Sequence, residues 1–274
     1  IRNNVGNIKL TEDGGHDFAK SIMTTDTREK EIAVSFEANG SRITIGAVAK
    51  GVGMIHPNMA TMLCFIATDA NVESSFLQIA LKSAVDTSFN MIDVDGDQST
   101  NDTVLAFANG DSGSINITRD SIYAEQFQEA LNYVCVELAK SLVIDGEGAQ
   151  TLIEVEVQGA KSFGDAAKAS RGIASSNLVK SMVYGKDPNW GRLIAAVGRS
   201  EALVKQEKIS VWIGGHLILD QGTPTDIDLQ IVIDAMQTSE LQMHVDLGIG
   251  NYSAIAWGCD LTAEYVRING DYTT

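Results

Sequence analysis

The chain has 274 residues, enough to bury a sizeable core, and its length allows one or two domains. With 44% hydrophobic and 20% charged residues it has a globular composition, and 25 glycines against 3 prolines indicate tight turns inside ordered structure. The formal charge of −16 argues against nucleic acid or an anionic membrane as partner, and no apolar run reaches the ~18 residues of a membrane-spanning helix.

The first residues, Ile1-Arg-Asn-Asn-Val-Gly, hold no initiator Met, basic stretch or apolar stretch. They do not form a signal peptide, and the chain reads as a fragment or a processed product. Residues 31–37 and 42–49 are predicted strands joined by Ala-Asn-Gly-Ser, a strong hairpin signal. Residues 62–68 form an apolar strand. Residues 76–89 carry apolar side chains at helical spacing (Phe76, Ile79, Ala80, Ala84), and residues 126–142 do so more clearly through Phe127, Leu131, Val134, Cys135, Leu138 and Leu142. Residues 151–157 alternate as a strand and 163–179 read as one helix. Beyond them strands dominate, over 193–197, 208–213, 242–247 and 253–257. This mixture predicts a layered α/β (α+β) fold with sheets packed between helices.

Cys64, Cys135 and Cys259 lie far apart in apolar company, as buried free thiols do in a reducing compartment, which points to the cytoplasm. The acidic stretch Asp93-Val-Asp95-Gly-Asp97-Gln-Ser-Thr-Asn-Asp102 invites a calcium reading, but an EF-hand loop would need Gly and Glu where Gln98 and Val104 stand. Asp, Asn, Ser and Gly also build turns through local bonds to backbone amides, so the stretch reads as a turn near a functional cleft. His16, His56, His216 and His244 have no partners at zinc-ligand spacing. Gly51-Val-Gly53 is at most a weak nucleotide signal. No Gly-x-Ser-x-Gly elbow is present. An acyl-transfer enzyme without a histidine base can use an amino-terminal residue, whose α-amine has an unperturbed pKa near ~7.7–8 and takes the hydroxyl proton. Spacing alone singles out no threonine for that task.

Lys50-Gly-Val-Gly-Met-Ile-His-Pro-Asn-Met-Ala60-Thr61-Met-Leu closely resembles the processing site of the ornithine acetyltransferase (glutamate N-acetyltransferase, ArgJ) family of arginine biosynthesis. Four further blocks agree: Ile22-Met-Thr24-Thr25-Asp-Thr27, Val94-Asp-Gly-Asp-Gln-Ser-Thr-Asn-Asp-Thr103, Asp145-Gly-Glu147-Gly-Ala149 and Gly185-Lys-Asp-Pro-Asn-Trp-Gly-Arg192. The end of the chain, from Asp260 through Asn269 to Thr274, is similar to that family's carboxyl terminus. One short motif can arise by chance; six in order hardly can.

The resemblance implies the DmpA/ArgJ-like fold with an amino-terminal Thr nucleophile. It implies cleavage between Ala60 and Thr61, giving an α chain that ends at residue 60 and a β chain over 61–274. The freed Thr61 would take the acetyl group from N2-acetyl-L-ornithine as an ester and pass it to L-glutamate, with no cofactor. Acetyl-CoA as a second donor stays open. Substrate-binding roles fall on Thr24, Lys50, Thr61, Glu147, Asn269 and Thr274: Lys50 for an α-carboxylate, Glu147 for the ornithine ammonium, the others for hydrogen bonds. The family also implies a segment before Ile1 whose Thr-Gly pair forms the oxyanion hole, and an assembly of two α and two β chains. Asp187-Pro-Asn-Trp190 reads either as site lining or as a rigid turn around a packed Trp. An amino-terminal-nucleophile amidohydrolase or aminopeptidase of similar fold and an uncut, non-catalytic subunit are the competing readings.

Overall fold

The computed structural model describes residues 11–56 and 62–271. Ala60, Thr61 and Thr274, and with them the expected cleavage point, lie outside the described residues. The expected hairpin forms as β1 (Lys30–Ala38) and β2 (Ser41–Lys50). Asn39 and Gly40 at its tip have φ of 52° and 77°, the left-handed pair that matches the twist of two antiparallel strands. β2 pairs antiparallel with β3 (Leu63–Thr68), and β3 pairs parallel with β5 (Thr103–Ala108), so the first sheet runs β1-β2-β3-β5.

The second sheet has seven strands. β4 (Ile92–Asp93), β6 (Leu152–Ala160), β7 (Ser210–Ile213), β8 (His216–Asp220), β9 (Thr223–Pro224), β10 (Glu240–Asp246) and β11 (Tyr252–Cys259) run in the order β4-β11-β6-β10-β7-β8-β9. Its ladders are mixed, with β4 parallel to β11, β10 parallel to β6, and the rest antiparallel.

Helix α3 (Ala124–Ile144) lies between the sheets, with α2 (Ser74–Asp86) packed against it. α3 buries Phe127, Leu131, Val134, Cys135, Leu138 and Leu142, the stripe read from the sequence, against both of them. On the far face of the large sheet lies α4 (Phe163–Ala174), so close that a Cβ on Gly258 would stand 2.7 Å from the Ala174 carbonyl oxygen. The expected layers of sheet and helix are therefore present, and the three cysteines are buried and free as expected.

Three expectations fail. Residues 163–179 form two helices rather than one, because the chain breaks at Ser175 and Ser176 before α5 (Asn177–Tyr184). Residues 193–197 are not a strand but lie inside α6 (Trp190–Arg199). Leu193, Ala196 and Val197 are its buried residues, an i, i+3, i+4 set that a five-residue apolar run hides. Strands do not take over the last third either, since α7 (Leu229–Ala235) and α8 (Ala263–Asp271) are also there, as is α1 (Gly14–Ser21) near the start.

Candidate active site

Strand register creates the site. Lys50 is the last residue of β2 and lies opposite Leu63, which in turn lies opposite Thr103 on β5. Adjacent strands are spaced about 4.8 Å apart, so Lys50, the backbone entering β3 and Asp102 stand in one row at one end of the small sheet. The Met62 amide donates to Asp102 Oδ1 at 2.6 Å, and the Thr103 amide donates to the Met62 carbonyl at 3.1 Å.

Carboxylates pin the backbone leading to that row. Asp26 Oδ1 accepts the Gly51 amide at 2.8 Å, and its Oδ2 accepts the Thr24 amide at 3.1 Å. One side chain thus seats Thr24 beside Lys50, and Lys50 Nζ donates to Thr24 Oγ1 at 3.3 Å. Asp26 is itself held by the buried Lys30, whose Nζ lies 2.7 Å from Asp26 Oδ1 and 2.6 Å from Asp145 Oδ2. Burial opposes ionisation of Asp26, but the bonds from Lys30, Gly51 and Thr24 outweigh it and hold the carboxyl below its usual range. Asp95 accepts the Met54 amide at 2.6 Å and the Ile55 amide at 3.0 Å. Within the acidic stretch the Asp97 amide bonds Asp95 locally, as in a turn, but Asp95 and Asp102 also clamp backbone amides about 40 residues away, which the turn reading did not expect.

A second buried chain of charges secures His56. Its Nδ1 lies 2.8 Å from Asp93 Oδ1, and Asp93 Oδ2 accepts from Lys180 Nζ at 2.9 Å. Arg171 Nη2 stands 3.5 Å from His56 Nε2. Burial raises the Asp93 carboxyl, yet the Lys180 charge and His56 prevail and keep it below the usual carboxylate range. Among the described residues no group of three or more His, Cys, Asp or Glu side chains is placed to hold a metal ion.

The remaining predicted site residues among those described, Glu147 and Asn269, form a second pair. Asn269 Nδ2 donates to Glu147 Oε2 at 2.9 Å, bringing α8 against the loop after α3. The Glu147 amide donates to the Val52 carbonyl at 2.8 Å, and a Cβ on Gly53 would sit 2.8 Å from Glu147 Cδ. A side chain at Gly53 would therefore push the Glu147 carboxylate aside where it meets the Lys50 loop. Thr24 with Lys50 and Glu147 with Asn269 are joined through residues 50–53. Asp187-Pro-Asn-Trp190 takes its second reading. The Asn189 amide bonds to the Asp187 carbonyl at 2.8 Å, and Trp190 opens α6 with its ring packed on the core.

Comparison with known proteins decides the family. The sequence matches the ArgJ family over residues 1–274. The chain belongs to the ArgJ family. It is 49% identical over 274 residues to the arginine biosynthesis bifunctional protein ArgJ of Dehalococcoides mccartyi, covering 100% of this chain and 68% of that protein. It is 47% identical over 285 residues to a glutamate N-acetyltransferase of Methanocaldococcus jannaschii, covering 99% of this chain and 69% of that protein. The chain thus spans about two thirds of the length of these relatives. The crystal structure of the arginine biosynthesis bifunctional protein ArgJ from Bacillus halodurans is similar with a TM-score of 0.74 and 42% identity, over 76% of this chain and 98% of that chain. Membership makes this an acetyltransferase sequence of arginine biosynthesis, with the mixed α/β layers of an ArgJ protein.

Asp102, Asp26 and Asp95 were not among the residues singled out for the site. Asp102 stood at the end of the stretch read as a turn, and nothing local in the sequence couples it to residue 62, 40 positions away.

Proposed function

We propose that the protein moves the acetyl group of N2-acetyl-L-ornithine to L-glutamate through an ester on Thr61, after cutting itself between Ala60 and Thr61. The observation that carries this reading is the row at the end of the small sheet, where Lys50, the backbone following Thr61 and Asp102 meet beside the Glu147–Asn269 pair. An amino-acid substrate needs a cation for its carboxylate and an anion for its ammonium. Lys50 and Glu147 meet those needs on either side of residues 51–53. Thr24 and Asn269 orient the two charges, and Thr274 adds hydrogen bonds.

The fold tolerates the proposed cut. β2 precedes residue 60 and β3 follows it, yet the two pair from Lys50↔Leu63 to Ile45↔Thr68. An α chain over 1–60 and a β chain over 61–274 would stay zipped in one sheet, and two such units would form the assembled enzyme. The matched chain of the Bacillus halodurans crystal is almost wholly used but covers only 76% of this one. That is close to the share left once residues 1–60 are removed. The work of the oxyanion hole falls to the part of the relatives' length that this chain does not span. No helix among the described residues is long and apolar enough to cross a membrane, and the buried free thiols of Cys64, Cys135 and Cys259 suit the reducing cytoplasm.

Intact mass of denatured protein should show two chains divided at 60/61, and Thr61→Ala should give one chain without acetyl transfer. Acetyl-ornithine consumption should require glutamate; hydrolysis indifferent to glutamate would sink the transferase reading in favour of an amidohydrolase. The same assay with acetyl-CoA reports on the second donor.

A further inference from the structure

Self-cleavage poses a problem that the α-amine of Thr61 cannot solve. In the uncut chain that nitrogen is an amide, which has no basic lone pair, so another group must take the hydroxyl proton. His56, the histidine nearest in sequence, already faces Asp93 through Nδ1 and Arg171 through Nε2. Tyr265 donates to Asp95 at 3.4 Å and is pushed above its usual range by burial and by the charges of Asp95, Asp97 and Glu147, so it keeps its proton.

Asp102 is different. Its Oδ1 accepts the Met62 amide at 2.6 Å, while its Oδ2 is buried and has no hydrogen-bond partner among the described residues. A buried carboxylate oxygen without a partner is costly, and natural proteins keep one where it has work to do. Oδ1 of the same carboxylate already holds the amide of Met62, the residue that follows Thr61 in the sequence. The unsatisfied oxygen is therefore one residue from the group that must lose a proton.

We propose that Asp102 is the general base of the self-cleavage step, an inference that rests on Thr61 being the nucleophile. The Thr61 hydroxyl proton passes to Asp102 Oδ2 as Oγ1 bonds to the Ala60 carbonyl carbon. The Ala60–Thr61 C–N bond then breaks as Asp102 returns the proton to the departing nitrogen. The product is an ester of Ala60 on Thr61 with a free α-amine. One water opens that ester, releasing the Ala60 carboxylate and restoring the hydroxyl. Asp102 ends as it began, and the new α-amine becomes available as base for acetyl transfer.

The surroundings suit the role. Burial raises the Asp102 carboxyl and prevails over the Met62 amide and the Lys50 charge, which pull it down, to leave it at about 6. It is thus mostly ionised at neutral pH yet a stronger base than an ordinary aspartate. The charged groups around it are Lys50 on β2 and Lys82 on α2, and Lys82 is engaged with Asp86 at 2.5 Å.

The experiment follows cleavage of the freshly made protein, expressed from its full reading frame, by intact mass over pH 5–8. Wild-type cleavage should rise through pH ~6 and level off. Asp102→Asn keeps an oxygen for the Met62 amide, so it should melt no lower than wild type yet cut about 100-fold more slowly or worse, without the rise through pH 6. Asp102→Glu, which retains a carboxylate, should recover part of the rate and the pH dependence. Wild-type rates and an intact pH profile in Asp102→Asn would overturn the proposal, as would equal loss in Asp102→Glu and Asp102→Asn when both fold. An uncut wild type, or cutting that survives Thr61→Ala, would instead overturn the Thr61 reading itself and this inference with it.

Discussion

The two sheets share α3 but are put to different uses. The large sheet is covered at its centre on both faces, by α3 on one and α4 on the other, and its inner residues Val155, Val157, Ala256 and Met243 are buried. Among the described residues, α3 covers one face of the small sheet, with α2 packed beside it. Its other face carries α1 at one edge and leaves Leu105 41% and Phe107 58% exposed. Apolar burial holds the large sheet. The end of the small sheet that carries the site is instead clamped by carboxylates to backbone amides and buried cations. That difference shows how carboxylate clamps add direction to apolar packing at a site: charge–amide bonds are directional, whereas hydrophobic contact is not.

The seam between the sheets tests this contrast most severely. Lys180 is fully buried, and it neutralises Asp93 on β4, the strand that closes the large sheet, while Asp93 holds His56 of the site loop. Lys180→Met leaves the buried Asp93 without its ammonium partner and should cost about 3–5 kcal/mol in denaturant unfolding. A loss below 1 kcal/mol would mean that the clamp is ornamental and that apolar packing alone sets the seam.

Asp102 sharpens the comparison with an opposite sign. Its carboxyl sits near 6 in the folded chain against ~3.9 unfolded, so the folded state holds the extra proton between those values. Stability from this group is present below pH ~4 and lost as pH rises through 6. In a Thr61→Ala background, where the chain stays whole, Asp102→Asn should gain on its parent by of order 1 kcal/mol between pH 4 and pH 7. Unfolding midpoints at those two pH values read it directly; an unchanged difference would remove Asp102 from the list of strained groups. The smallest effect belongs to the open face of the small sheet. Phe107→Ser should alter stability by no more than about 0.5 kcal/mol in this chain, because the ring is already mostly in water.

Much of the scaffold was legible before any coordinates. The hairpin followed from Asn39-Gly40 between alternating strands, and α3 from an apolar stripe long enough to have only one period. Lys50, Thr24, Glu147 and Asn269 came from motif resemblance and do meet in two hydrogen-bonded pairs. Elements with short or weak signals went astray. Residues 193–197 are five apolar positions, too few to distinguish a strand from one side of a helix, and only packing of Leu193, Ala196 and Val197 against the core selects α6.

What the sequence by itself determined was the family, the hairpin, the central helix and the candidates for the groups that carry chemistry, because each is written in neighbouring residues. What only the tertiary structure decided was which carboxylate serves which amide. Asp26 meets Gly51, Asp95 meets Met54 and Ile55, and Asp102 meets Met62, over separations of 25 to 41 residues. Such pairings depend on strand register and layer packing, which no local pattern encodes. Asp102 therefore read as one more turn residue until β3 and β5 placed it beside the residue that follows Thr61.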